Sequence, residues 1–226
     1  MALRIFETDP DAKRKPRNTF LNDVVGKIKG GKLIGRRPVA LTEWRFVSDD
    51  ADVADRVTAL FGGEVVESPD PEARDRYDVE TTAASVEIVV ERAEDLRSRM
   101  ALYGTAGPIH VCDGAYHVTG HPEDEEVGNA CGCPRSLADR KAAAKKGTGP
   151  KPDITLKFRL AAEPDLGYFV LTTGSWSLVN DLAEIERGLA DAPVRAVLRL
   201  ELVEYTTKGG KDVSYTRPVI EITGAA

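Results

Sequence analysis

VRAVLRLELVEY, residues 194–205, alternates apolar and charged side chains almost without a break. A period of two marks a strand with one buried face, because successive side chains leave opposite sides of the pleat. Lys208, Gly209, Gly210 and Lys211 follow as turn residues, and residues 213–222 resume the apolar pattern, so this part of the chain predicts a long antiparallel hairpin. Upstream, ITLKFRL (154–160) and GYFVLT (167–172) predict a second hairpin. PVALTEWRFV (38–47), with Trp44 in the core, and the segment 85–90 add two further strands.

Helical spacing interrupts these strands. Val53, Val57 and Leu60 recur on one face until Phe61, Gly62 and Gly63 stop the pattern. Leu178, Leu182, Ile185 and Leu189 form a second apolar stripe, with Ser175 as the expected N-cap. A charged helix is predicted over 92–103, and another from Pro134 to about Lys146, ended by the breaker GTGPKP at 147–152. No regular βαβ rhythm links these elements. The expected class is α+β: a mainly antiparallel sheet with several helices and a zinc-knuckle insertion.

The predicted organisation is a basic N-terminal arm at 1–37, an α+β domain at 38–226, and a metal-binding subdomain within it at about 108–150. Pro10, Pro16 and the pair Gly30 and Gly31 make the arm read as extended chain. Lys13, Arg14, Lys15, Arg17, Lys27, Lys29, Lys32, Arg36 and Arg37 face only one nearby acid, Asp23, although the whole chain carries a net charge of −6. That overall charge argues against non-specific nucleic-acid binding, and the basic segment fits phosphates or an acidic protein surface. No apolar run approaches the roughly 20 residues that span a bilayer. The opening MALRIFE turns charged too soon for a signal peptide, so a cytoplasmic protein is expected.

All three cysteines and all three histidines lie within one 24-residue stretch: His110, Cys112, His117, His121, Cys131 and Cys133. Thiolate and imidazole ligands concentrated in this way predict one structural zinc ion with four ligands. Cys112 enters a turn at Asp113 and Gly114, and Gly132 relaxes the backbone between the other two thiols. For the fourth ligand, His117 fits a short knuckle best. His121 is the alternative, and His110, on the strand face of Cys112, ranks behind both. Three thiolates weaken an ion as a Lewis acid, and the acidic run Glu123, Asp124, Glu125 and Glu126 is read as a solvated loop. There is no phosphate-binding loop, dinucleotide fingerprint or nucleophile elbow. A non-catalytic protein is therefore expected, with a metal-dependent hydrolase, or a zinc-containing accessory protein that binds single strands in replication, as the alternatives.

MALRIFETDPDAKRKPRNTFLNDVVGKIKGG, RPVALTEWRF, VCDG with CGCP, and GPKPDITLKFRLAAEPDLGYFVLTTGSWS together resemble one group of phage proteins. These are the recombination directionality factors of actinobacterial phages, of the Streptomyces phage type, which work with large serine integrases. Relatives also carry the label hydrolase or metal-binding protein. The resemblance implies a partner, a large serine integrase bound to attachment-site DNA, and a non-enzymatic role. The factor activates attL × attR excision and inhibits attP × attB integration while the integrase performs the chemistry. It implies weak or indirect DNA contact, no membrane, and residence in the bacterial host cytoplasm. Distant relatives place a further cysteine where this chain has Pro150; if that cysteine is a ligand there, a histidine must replace it here, or the site is incomplete. For the partner surface, the expected contacts are Lys13, Arg14, Lys15 and Arg17, with Phe20 and Leu21 as apolar anchors. The C-terminal hairpin is the alternative surface.

Overall fold

The structure is a computed structural model that describes residues 19–226 apart from 36, 71, 73, 74, 191, 208 and 211. Along the chain, β1 (Val24–Ile34) and β2 (Arg37–Ser48) lead into α1 (Ala51–Phe61). Then come β3 (Glu64–Glu67), β4 (Tyr77–Glu80), β5 (Ser85–Val90), β6 (Leu96–Gly104) and β7 (Gly107–Cys112). After a long loop follow α2 (Leu137–Lys145), β8 (Lys151–Leu160), β9 (Tyr168–Thr173), α3 (Leu178–Leu189), β10 (Val194–Thr206) and β11 (Asp212–Ala225). The strands join in one sheet in the order β11-β10-β5-β8-β9-β1-β2-β4-β3, with β6 on β8 and β7 on β6. β1 and β9 run parallel; the other described strand pairs are antiparallel. The class is α+β, mostly antiparallel, as the alternation predicts.

β8 organises the sheet. Ile154, Leu156, Phe158 and Leu160 recur at period two and all are buried. One edge of β8 pairs with β9, and β5 and β6 share the other. The sheet curls until β2 meets β10. The Trp44 indole N–H donates to the Leu198 carbonyl at 3.3 Å. The link between β4 and β5 closes this seam: Trp44 N–H donates to the Ala83 carbonyl and Leu200 N–H to that of Ala84. The core enclosed this way contains Trp44, Phe46, Phe158 and Phe169, with Phe46 and Phe169 edge to face.

The two amphipathic helices cover the sheet as their spacing predicts. α1 is capped by Asp50, whose carboxylate accepts from Asp52 N–H at 2.9 Å, and it buries Val53, Ala54 and Val57. α3 begins at Leu178, whose N–H reaches the Ser175 hydroxyl only at 3.4 Å, so the helix starts later than a Ser175 cap requires. Leu178, Ile185 and Leu189 are buried beneath it.

Two expectations are corrected. Residues 24–34, read as part of an extended arm, form β1 in the middle of the sheet between β9 and β2. Their glycines serve close packing: a Cβ on Gly30 would lie 2.8 Å from Leu200, and one on Gly26 2.7 Å from Phe169. Residues 92–103, read as a charged helix, instead make a short turn and β6. Pairing with β8 and β7 satisfies the backbone of β6 on both sides, and this overrides the helical propensity of its charged residues. Lys13, Arg14, Lys15, Arg17 and Arg36 lie outside the described residues.

Candidate metal centre

β6 and β7 form a hairpin beside β8, and Cys112 is the last residue of β7. His110 and Cys112 are two positions apart on this strand, so they share one face. The chain then turns tightly. The Asp113 carboxylate accepts from Ala115 and Tyr116 N–H at 2.7 and 2.8 Å, and Gly114 takes a φ of 102°. Asp113 N–H donates to the Tyr116 carbonyl across the turn, and three backbone hydrogen bonds tie the outgoing chain to the returning one: His117 N–H to Asn129, Gly128 N–H to His117 and Cys131 N–H to Ala115. This return brings Cys131 and Cys133 back over β7. Gly132 sits between them at a φ of 68°, a conformation that a side chain would strain. Arg140 of α2 fixes the turn from outside, donating to the Gly114 carbonyl at 2.5 Å.

The ligand atoms of His110, Cys112, Cys131 and Cys133 all lie within 4.8 Å of one another. Cys112 Sγ is 3.8 Å from Cys133 Sγ, and His110 Nε2 is 3.4 Å from Cys133 Sγ. A tetrahedral zinc ion with Zn–S bonds of about 2.3 Å and a Zn–N bond of about 2.1 Å separates its sulfurs by about 3.8 Å and sulfur from nitrogen by about 3.6 Å. The Cys112–Cys133 and His110–Cys133 separations are close to the edges of a zinc tetrahedron, and the other ligand atoms lie within 4.8 Å. Burial pushes the Cys112 thiol up to about 12 and also raises Cys133. Without an ion these sulfurs hold their protons, and a divalent cation would exchange for them. The donor set fits a structural zinc.

The histidine in this group is His110. His117 and His121, preferred on spacing, group with His110 instead, their ring nitrogens within 4.8 Å of one another. The strand pleat presents His110 on the face of Cys112, two positions along β7. Glu123 to Glu126 form a turn in which Glu126 Oε2 stands 3.5 Å from His117 Nε2.

Of the expected partner-contact residues, Phe20 is buried, with the Arg97 guanidinium 3.8 Å above its ring. As a free apolar anchor it is therefore corrected: its ring is already packed. Leu21 is 46% exposed and borders a groove of about 930 Å³ with Lys27, Arg97, Arg99 and Tyr103. Lys157, which nothing in the sequence singled out, is buried with its ammonium 4.1 Å over the Tyr168 ring. Alternation in β8 places it on the face of Thr155 and Arg159, opposite Leu156 and Phe158, so the sequence pattern carries no signal for its burial.

A family model described as "Gp3-like: Recombination directionality factor-like" matches residues 25–223, from the first strand to the last. The chain belongs to this family. The match spans nearly all of the described sheet and the Cys/His lobe. No solved structure matches the chain. No helix among the described residues is long and apolar enough to cross a membrane.

Proposed function

We propose that this protein is a phage recombination directionality factor that binds a large serine integrase on its attachment-site DNA, activates attL × attR excision and inhibits attP × attB integration. The family match over residues 25–223 carries this reading. The net charge of −6 agrees with a protein whose main contact is another protein. The proposed site of action is the bacterial host cytoplasm, and the protein itself is non-catalytic: bond breakage and joining belong to the integrase.

A factor of this kind works by differential affinity. It must bind the integrase arrangement that pairs attL with attR more tightly than the one that pairs attP with attB, because a ligand with equal affinity for both shifts nothing. Inverting a 1:99 preference takes roughly a 10⁴-fold difference, about 5.5 kcal/mol. A contact on that scale needs a rigid surface. A zinc ion held by Cys112, Cys131, Cys133 and His110 would supply rigidity in a lobe that has few buried apolar side chains of its own.

For the contact itself we favour the basic segment Lys13, Arg14, Lys15 and Arg17 together with Leu21 at the edge of its groove. The C-terminal hairpin, where Leu202, Tyr205 and Tyr215 are exposed, is the competing surface, since exposed strands recruit partner chains. Charge-neutral replacement of the four basic residues should reduce integrase binding at least tenfold in a pull-down or interferometry assay. If binding survives and Leu202→Glu with Tyr215→Glu abolishes it, the contact belongs to the hairpin.

The hydrolase alternative rests on the histidines beside Glu126. It requires substrate turnover without integrase that is lost in Glu126→Gln.

A further inference from the structure

His117 presents an unresolved chemical demand. Its side chain is 8% exposed, its Nε2 lies 3.5 Å from Glu126 Oε2, and its Nδ1 is buried with no hydrogen-bond partner. A buried ring nitrogen left unpaired is costly, so a native structure normally gives it a partner. His121 is also buried, and its Nδ1 sits 3.1 Å from both the carbonyl and the N–H of Glu123; the tautomer that donates to the carbonyl leaves Nε2 free for a ligand. A carbonyl or carboxylate on one ring nitrogen, leaving the other free, is the arrangement that orients metal-binding histidines. The rings of His117 and His121 have centroids 4.0 Å apart, and that of His110 is 4.7 Å from His117.

We propose that His117 and His121 hold a second, exchangeable divalent metal ion next to the thiol-bound zinc. His117 binds through Nδ1, with Glu126 on its Nε2, and His121 binds through Nε2, with the Glu123 carbonyl on its Nδ1. His110 stands between the two centres: its Nε2 faces Cys133, and its ring forms the wall shared by both. A site of two or three imidazoles selects borderline ions such as zinc, cobalt or nickel. With water completing its coordination it binds more weakly than the three-thiol centre. An ion there would tie 117–121 to the strand that carries His110. The inference rests on the thiol group being a metal centre but concerns different residues.

Cobalt separates the two sites. The metal-free full chain is titrated with Co²⁺ and followed by absorbance, with folding monitored by circular dichroism. The thiol centre reports itself by sulfur-to-cobalt charge transfer in the near ultraviolet; a nitrogen site gives weaker visible bands without it. The expected result is two bound equivalents, the first with charge transfer and the second at least tenfold weaker without it. His117→Ala with His121→Ala removes the second and retains the first. A single equivalent in the wild-type chain would overturn the inference, as would loss of the charge-transfer band in His117→Ala, which would assign His117 to the thiol centre. A wild-type chain that binds cobalt with no charge transfer contradicts the thiol centre itself and this inference with it. Equilibrium dialysis of the zinc-loaded wild type against Ni²⁺ needs no variant: one additional nickel is expected, and none overturns the proposal.

Discussion

Cys112 ends β7 with its thiol fully buried, and burial, reinforced by the neighbouring thiols, raises its pKa from 9.0 to about 12. A thiol that keeps its proton so firmly is a poor nucleophile, and an ion must displace that proton to bind. Metal affinity should therefore rise with pH and fall on acidification. In the metal-free chain the sign is opposite. A raised native pKa contributes stability in full below 9.0 and loses it as pH climbs toward 12. Thermal melts of metal-free and zinc-loaded protein across this alkaline range should diverge, with only the former falling. Structural zinc is worth roughly 10–16 kcal/mol in finger peptides. Cys131→Ser or Cys133→Ser should accordingly lose one zinc by elemental analysis and lower the melting temperature. His110→Ala should weaken the same ion more than His117→Ala does. The presence of the cluster was legible from composition alone. Its fourth member was only half legible: strand alternation pairs His110 with Cys112, but loop spacing favours His117. The choice depends on where Cys131 and Cys133 return, and local spacing does not encode that.

Secondary-structure elements show the same division. β8, β10, α1 and α3 were legible because each buries one face at a fixed period, which leaves a trace in the sequence; β9 buries Phe169, Val170 and Leu171 in succession and was legible from its β-forming residues. β1 was not, because its VVGKIKGGKLI mixes glycines and lysines that suggest a loop. In the fold, Gly26 and Gly30 leave room for Phe169 and Leu200, and Lys27 and Lys29 both pair with Asp75, Lys29 at 2.9 Å. Burial works to raise the Asp75 pKa, but the two ammonium groups outweigh it and hold the carboxyl below its usual 3.8. A depressed carboxylate pKa contributes stability above the unfolded value and loses it as pH falls through the folded one. Asp75→Asn keeps a residue type tolerant of the local φ of 61° and should destabilise the chain at neutral pH. The difference from wild type should shrink below pH 3.8 in acid-denaturation curves. A second test concerns the helix over the C-terminal hairpin. A Cβ on Gly188 of α3 would meet Ile222 Cδ1 at 2.4 Å, so Gly188→Ala should shift the Ile222 side chain, and the overpacking should offset the roughly 1 kcal/mol of helix propensity that Ala gains, leaving no net stabilisation. Chemical denaturation measures it.

For the whole molecule, a single curled sheet supports two different surfaces. Its main body is held by an apolar core that runs from Ile28 to Ile220. The lobe of 108–150 extends from β6 and β7 with little apolar material, and helix α2 within it has no buried residue. Such a lobe depends on its Cys/His cluster for order, so chelation should loosen it while the core stays folded. Limited proteolysis after chelation is expected to cut within 113–131 and to leave the sheet intact. The central claim, that this protein redirects a serine integrase, is tested most directly by recombination in vitro with purified cognate integrase and the four attachment sites. The account predicts that attL × attR recombines only when this protein is added and that attP × attB recombination is suppressed at the same concentration. Unchanged recombination in both directions, with the protein folded and metal-loaded, would contradict it.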